Sequence, residues 1–422
     1  MTDNNNTKPF YNLSIPSDWE VVELGKIGEF KNGINKDKEE FGHGFPLVGL
    51  MDVFDIPKVN NGEFSLVNST KNERQDFDLR KGDVLFVRSS VKPVGVGLTT
   101  LICEDIPDAT FSGFLIRFRA NGKLDFEFKA HCFFERNFRQ SLLNKSTISA
   151  NTNINQVALK SLQIPIPPLP EQVCIAQLLS TWDNAITKVQ AILAQKELRK
   201  KWLMQNLLTG KKRLKSNGKF IINNGKFIKI KIGDIATVFS GGTPLRSNQE
   251  FYKGDIPWIK SGEINDFEIF DTEEKITEEA LKLSSTKKVN KDTILIALYG
   301  ATAGVVGITR VEAAINQAVL AVIPNESEVD KMYLLRCLQF HLPKAVENLV
   351  QGGQPNLSGG IILNYQFPII NSLSEQTAIA QILQAADKEI QLLKTKTEKL
   401  REQKKGLMQV LLTGKKRLKI IK

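Results

Sequence analysis

Two stretches of this chain are near copies of each other. Glu171 to Lys215 returns from Glu375 onward at a constant shift of 204 positions, without gaps and with roughly half of the paired residues identical. Identity gathers at the two ends. Glu171-Gln172, Ile175-Ala176-Gln177, Leu179, Asp183 and Ile186 open the copy, Lys200-Lys201, Leu203-Met204-Gln205 and Leu207 to Lys215 close it, and the centre shares almost nothing. Two specified terminals around a varying middle describe a spacer. Ile175, Leu178, Trp182, Ala185, Val189 and Ile192 step by three and four, as do Ile379, Ile382, Ala386, Ile390, Leu393 and Leu400 more loosely, which predicts a long helix packed along one partner helix. Pro170 and Ser374 stand where each helix should begin, acidic Glu171 and Glu375 fall in the first turn, and Gly210 and Gly414 stand where each should end. About 38 residues at 1.5 Å each give about 57 Å. Helices of that length bury their stripes most economically against each other.

The rest of the 422 residues leaves room for two or three domains, and 41% hydrophobic content is ordinary for a globular chain. No apolar run reaches 18 residues, so no membrane partner is expected, and the first nine residues are polar with no signal-like apolar stretch. Cys103, Cys132, Cys174 and Cys337 are scattered without CxxC spacing, which fits reduced thiols in a cytoplasmic protein and speaks against a metal site. A net charge of +11 and a pI near 9.3 favour a polyanionic partner.

In chain order the pattern predicts a disordered tail over 1–9, a mixed α and β domain over 10–168, a helical region over 169–215, and a Gly/Asn-rich linker over 216–228. A second mixed domain over 229–372 and a second helical region over 373–422 follow. Strands are expected at Phe45 to Val48, Val84 to Val87, Ile256 to Ile259 and Ile294 to Leu298, and helices at Asp125 to Leu143 and Lys331 to Glu347. The two heads correspond in outline: Leu24-Gly25-Lys26-Ile27 matches Ile232-Gly233-Asp234-Ile235, and Asn153-Ile154-Asn155 matches Asn356-Leu357-Ser358. The residues between these matches are largely unlike. The expected fold class is α+β: two mixed α/β recognition domains and two long helices packed as an antiparallel coiled coil, with a pseudo-twofold internal repeat. Two unlike heads on such a frame could read two unlike half-sites separated by an unread spacer.

The paired helix openings (Pro168, Pro170-Glu171-Gln172 and Ser374-Glu375-Gln376), the paired Leu-Leu-Thr-Gly-Lys-Lys-Arg closings and IPSDW at Ile15 to Trp19 resemble, across nearly the whole chain, the DNA specificity subunits of type I restriction-modification systems. The second opening departs from the pattern with Ser374 in place of proline. The resemblance implies two target-recognition domains, two conserved helical regions, and partners that include double-stranded DNA, two modification (methyltransferase) subunits and restriction (endonuclease/translocase) subunits. It also implies that no cofactor binds this chain, and that S-adenosylmethionine, ATP and Mg belong to those partners. The residues agree that the chain is no enzyme. Thr209-Gly210-Lys211 lacks the upstream glycine of a phosphate loop, GxGxxG is absent, and His43, His131 and His341 are isolated. Glu273-Glu274-Lys275 could be half of a nuclease site but reads as an acidic surface run.

Base-reading groups are expected in loops after the central strands. Arg88, Ser89, Ser90 and Lys92 in the first head combine cations with hydroxyls, and Tyr299 and Thr302 occupy the nearly uncharged counterpart in the second. Gly241, Gly242, Thr243 and Arg246, with Lys260 and Ser261, form turns where backbone could approach DNA, and Asn316 and Gln317 are types that pair with adenine. The constant helix ends, Glu171, Gln172, Gln177, Leu207 and Leu208 with Glu375, Gln376, Gln381, Leu411 and Leu412, are the expected docking surfaces for the two modification subunits. The competing readings are a self-sufficient nuclease or methyltransferase, which lacks its cofactor motif, and a protein-binding coiled-coil scaffold, which a shallow salt dependence of DNA binding would favour.

Overall fold

Val84–Val87 and Ile294–Ala297 are four-residue apolar runs with every side chain buried, and each becomes the middle strand of a five-stranded sheet. The computed structural model describes residues 7–216, 219–220, 225–265, 267–349 and 357–418. It divides into two compact units, 1–190 with 395–422 and 191–394.

In unit 1 the sheet strands are β1 (Gly28–Asn32), β2 (Lys58–Val59), β3 (Val84–Val87), β4 (Thr99–Ile102) and β5 (Leu115–Ala120), in the order β1-β5-β3-β4-β2. In unit 2 they are β6 (Ala236–Ser240), β7 (Glu268–Ile269), β8 (Ile294–Ala297), β9 (Val306–Thr309) and β10 (Val319–Pro324), in the order β6-β10-β8-β9-β7. The second order is the first with five added to every strand. All pairs are antiparallel except the edge pairs β4 with β2 and β9 with β7. A smaller sheet accompanies each, and both contain one parallel pair: Thr110–Phe111 on Leu47-Val48, and Ala314-Ile315 on Trp258-Ile259. The matched tetrapeptides Leu24–Ile27 and Ile232–Ile235 are both short helices. Asn155 and Ser358 both cap the helix that follows, accepting from Ala158 N at 2.8 Å and Ile361 N at 3.3 Å.

The long helices are α1 (Leu169–Leu207) and α2 (Leu373–Leu411), 39 residues each. Gly210 and Gly414 follow them in the left-handed region, φ +72° and +67°, as the glycine stop requires. Within unit 1 the start of α1 and the end of α2 pack antiparallel: Ile175, Ala176 and Leu179 share a core with Met408, Leu411 and Leu412, and with Phe86, Phe118 and Phe133 of the head. Within unit 2 the end of α1 and the start of α2 repeat this, Leu207 and Leu208 joining Ile379, Ala380 and Leu383 around Tyr333 and Leu335. Antiparallel sense is also read from ion pairs, Asp183 with Lys404 in unit 1, and Lys196 with Glu389 and Lys200 with Asp387 in unit 2.

Several expectations are corrected. The tail is ordered from Thr7, where Thr7–Phe10 pairs with Leu13–Pro16, and residues 1–6 lie outside the described residues. The stretch expected as one helix from Asp125 breaks into two 3-10 turns and a helix, Arg136–Asn144, because Phe128 and Phe133 turn into the core on either side of His131. Strand structure lies inside the span expected as linker: Lys215–Ser216 pairs antiparallel with Lys219–Phe220, and a further strand runs Phe227–Lys231; residues 217–218 and 221–224 lie outside the described residues. Ile192, placed on the buried stripe by spacing, is 44% exposed. The compact units also cut both long helices rather than separating heads from rods, since each head shares its core with one end of each helix.

Candidate nucleic-acid interface

Antiparallel pairing brings the C-terminal ends of β1 and β3 beside the N-terminal end of β5, and the same holds for β6, β8 and β10. Loops from three strands therefore meet at one end of each sheet. In unit 1 the Arg88 N–H donates to Phe114 O at 2.8 Å, and Arg88 O accepts from Ile154 N at 3.0 Å. In unit 2 Leu298 makes the same two bonds, to Ala318 O at 2.8 Å and from Leu357 N at 2.9 Å. One backbone frame thus presents different side chains: Arg88 against buried Leu298, Gly113 against Gln317, Phe114 against Ala318.

In unit 1, Arg88 Nη1 donates to Gly113 O at 3.2 Å, which holds the guanidinium over the neighbouring loop. Ser89–Ser90 are half-buried and paired with Thr152–Asn153, and Lys92 is exposed just beyond. Sequence reasoning missed the apolar side chains here. Val91, Val94 and Phe114 are 81%, 70% and 57% exposed, and the signal was a pair of valines among the Pro and Gly of a turn.

In unit 2 the expected residues fall into two groups. Thr243 donates its hydroxyl to Gln317 Oε1, leaving the Gln317 amide as donor at an exposed position. Arg246 Nη1 bonds Glu274 Oε2 at 2.6 Å, Lys260 Nζ bonds Glu274 Oε1 at 2.9 Å, and the Arg246 guanidinium lies 4.5 Å from the Tyr252 ring centre and 4.9 Å from that of Trp258. Those two cations hold the Glu274 carboxyl below its ordinary range, Arg246 contributing most. Tyr299 is exposed, Thr302 is half-buried with its hydroxyl turned back to Tyr299 O, and Ser261 begins a 3-10 turn.

Two readings here are corrected. Gly241 and Gly242 are required by the chain itself rather than by an approaching ligand, because added Cβ atoms would fall 1.8 Å from Ile315 O and 2.0 Å from Ser285 Oγ. Asn316 is 9% exposed and its Oδ1 accepts from Ala318 N at 3.0 Å, so it shapes the loop and does not offer both amide atoms to a base.

The repeated helix ends are corrected more broadly. Glu171, Gln172, Glu375 and Gln376 are at most 1% exposed, and Leu207, Leu208, Leu411 and Leu412 are buried. Arg417 grips Glu171, its Nη2 at 2.6 Å from Oε2, and Arg213 grips Glu375 through 2.7 and 2.6 Å bonds. Gln172 Oε1 accepts from Asp125 N at 2.8 Å, and Gln376 Oε1 accepts from Asp330 N at 2.7 Å. These residues latch each head to its helices and cannot face a partner. Only Gln177 and Gln381 of that group are exposed.

The two units thus carry one loop frame with different side chains at its tips. The family model for the type I restriction modification DNA specificity domain matches the chain twice, over residues 16–196 and 224–402, and the chain belongs to that family. It is 28% identical to a Methanocaldococcus jannaschii chain assigned as the specificity subunit of the type I restriction enzyme MjaX, covering 96% of this chain and 95% of that one. With the MjaVIII specificity subunit of the same organism identity is 24% over 98% and 96%. The fold matches the crystal structure of a type I restriction-modification S subunit from M. genitalium, TM-score 0.57 at 16% identity over 96% and 98% of the two chains. The chain thus carries two copies of a type I restriction modification DNA specificity domain. Among the described residues no helix is long and apolar enough to cross a membrane.

Proposed function

We propose that each head reads one half of a bipartite, asymmetric target in double-stranded DNA, and that the length of the long helices sets the unread spacer between the halves. In this reading the chain has no catalysis and no cofactor of its own and works in the cytoplasm. It directs adenine methylation by two modification subunits and, with restriction subunits, ATP-dependent cleavage; S-adenosylmethionine, ATP and Mg belong to those partners. The observation that carries the reading is the pair of matched loop frames with unmatched side chains: the bonds of Arg88 and Leu298 are the same while their chemistry differs. A frame kept constant while its tips change is what two different half-sites require. A net charge of +11 supports a phosphate-bearing partner.

Docking of the modification subunits falls to repeated residues that remain outside: Gln177 with Gln381, and Lys211-Lys212 with Lys415-Lys416. The test is methylome sequencing of cells expressing the chain with its modification partner. One split motif methylated on both strands is expected. An assembled, donor-binding complex that leaves no motif would overturn the reading in favour of a scaffold.

A further inference from the structure

The loop carrying Arg246 is fixed at nearly every backbone position. Gly241 N and Gly242 N donate to Asn316 O and Ile315 O, each at 3.2 Å, and Gly242 O accepts from Thr286 Oγ1 at 2.9 Å and Trp258 Nε1 at 3.3 Å. Pro244 O takes the Tyr252 hydroxyl at 2.6 Å. The side chain is fixed as well, resting on two aromatic rings and bonded to Glu274 through Nη1 alone, yet it remains 53% exposed. Glu274 is itself held from its other oxygen by Lys260, and Glu263 takes the backbone N–H groups of Lys260 and Glu273 at 2.7 and 2.9 Å. A surface arginine normally loses about 2 kcal/mol of rotamer freedom when it is ordered by a ligand. Here most of that ordering precedes any ligand, and Nε and Nη2 take no part in the bond to Glu274.

We infer that Arg246 is a guanine-reading residue of the second head and that Glu274 is its positioning residue. The inference rests on the DNA-reading role proposed above. A planar guanidinium whose Nε and Nη2 take no part in the bond to Glu274 matches the O6 and N7 acceptors of guanine in the major groove, and no other base edge offers two acceptors there. The carboxylate opposes phosphate binding, so its value at this position lies in discrimination. Glu274 trades affinity for orientation, and this separates it from a structural salt bridge.

Full complexes carrying R246A, R246K or E274Q are compared with the unaltered complex by methylome sequencing and by competition binding to duplexes that differ at one base pair. A wild-type split motif is expected in which R246A and R246K lose preference at a single G·C pair of one half-site, by about tenfold to a hundredfold, with the other half unchanged. E274Q relaxes the same base pair while binding DNA more tightly overall, because a negative charge is removed from the interface. R246K keeps the charge and the aliphatic packing, so it carries the test if R246A fails to assemble. A wild-type split motif that survives unchanged in R246K and E274Q overturns the guanine assignment and leaves the cluster as a loop tie. The absence of any split motif with the unaltered chain overturns the DNA-reading role itself, and the two failures are distinct.

Discussion

Arg213→Ala tests whether the repeated helix ends are latches. The Glu375 side chain is 2% exposed and the Arg213 side chain 25%, and two charge-assisted bonds join them, Nε to Oε1 at 2.7 Å and Nη2 to Oε2 at 2.6 Å. Removing the guanidinium strands a carboxylate inside unit 2, at a cost of about 3 to 5 kcal/mol. For a unit of this size that corresponds to a fall of roughly 10 °C in its thermal midpoint. Arg417→Ala should cost less, because Glu171 keeps a second donor, the Trp19 indole Nε1 at 3.1 Å, and Arg417 is more exposed. Replacing both Arg213 and Glu375 by leucine should recover most of the loss, since the buried charge disappears with its partner. Urea titrations followed by tryptophan fluorescence, with differential scanning calorimetry, measure all four proteins. A single-variant cost below about 1 kcal/mol, the behaviour of an exposed ion pair, would refute the latch.

Burial holds the His131 imidazole down to about 3, with Lys404 and Lys58 adding repulsion against an unfolded value near 6.5. The unfolded chain therefore takes the proton first. Stability from this group is complete above about pH 6.5 and falls by up to about 1.4 kcal/mol per unit as the pH drops toward 3, and His131→Gln should flatten that acid limb in urea midpoints. Gly241→Ala should destabilise unit 2 by about 2 kcal/mol or more, since its Cβ meets Ile315 O at 1.8 Å, whereas Gly262→Ala, with nothing within 4 Å, should stay within about 0.5 kcal/mol by calorimetry. Deleting one heptad from the middle of both α1 and α2 should shorten the methylated motif's spacer by about three base pairs, as seven residues rise about 10 Å, and an unchanged spacer would sink the ruler idea.

Most of the architecture was legible because duplication supplies a second copy of every signal. A buried run such as Ile294–Ala297 is ambiguous alone, but its match to Val84–Val87 at the same place in a repeat makes it a strand. What failed was the meaning given to identity. Constant residues at the helix ends looked like surfaces kept for a shared partner, yet Glu171, Gln172, Glu375 and Gln376 are buried. The reason lies in long-range geometry: Arg417 reaches Glu171 and Arg213 reaches Glu375, each pairing one copy's closing with the other copy's opening. Spacing along a single helix cannot reveal such an exchange. The same limit applies at the tips, where Asn316 and Arg246 look equally suited to base reading in sequence. Burial and an internal bond remove Asn316, while two rings and a carboxylate fix Arg246 and leave it open. Identity at Glu171, Gln172, Glu375 and Gln376 marks what closes each unit, and the loop tips are where the two copies differ in side chain.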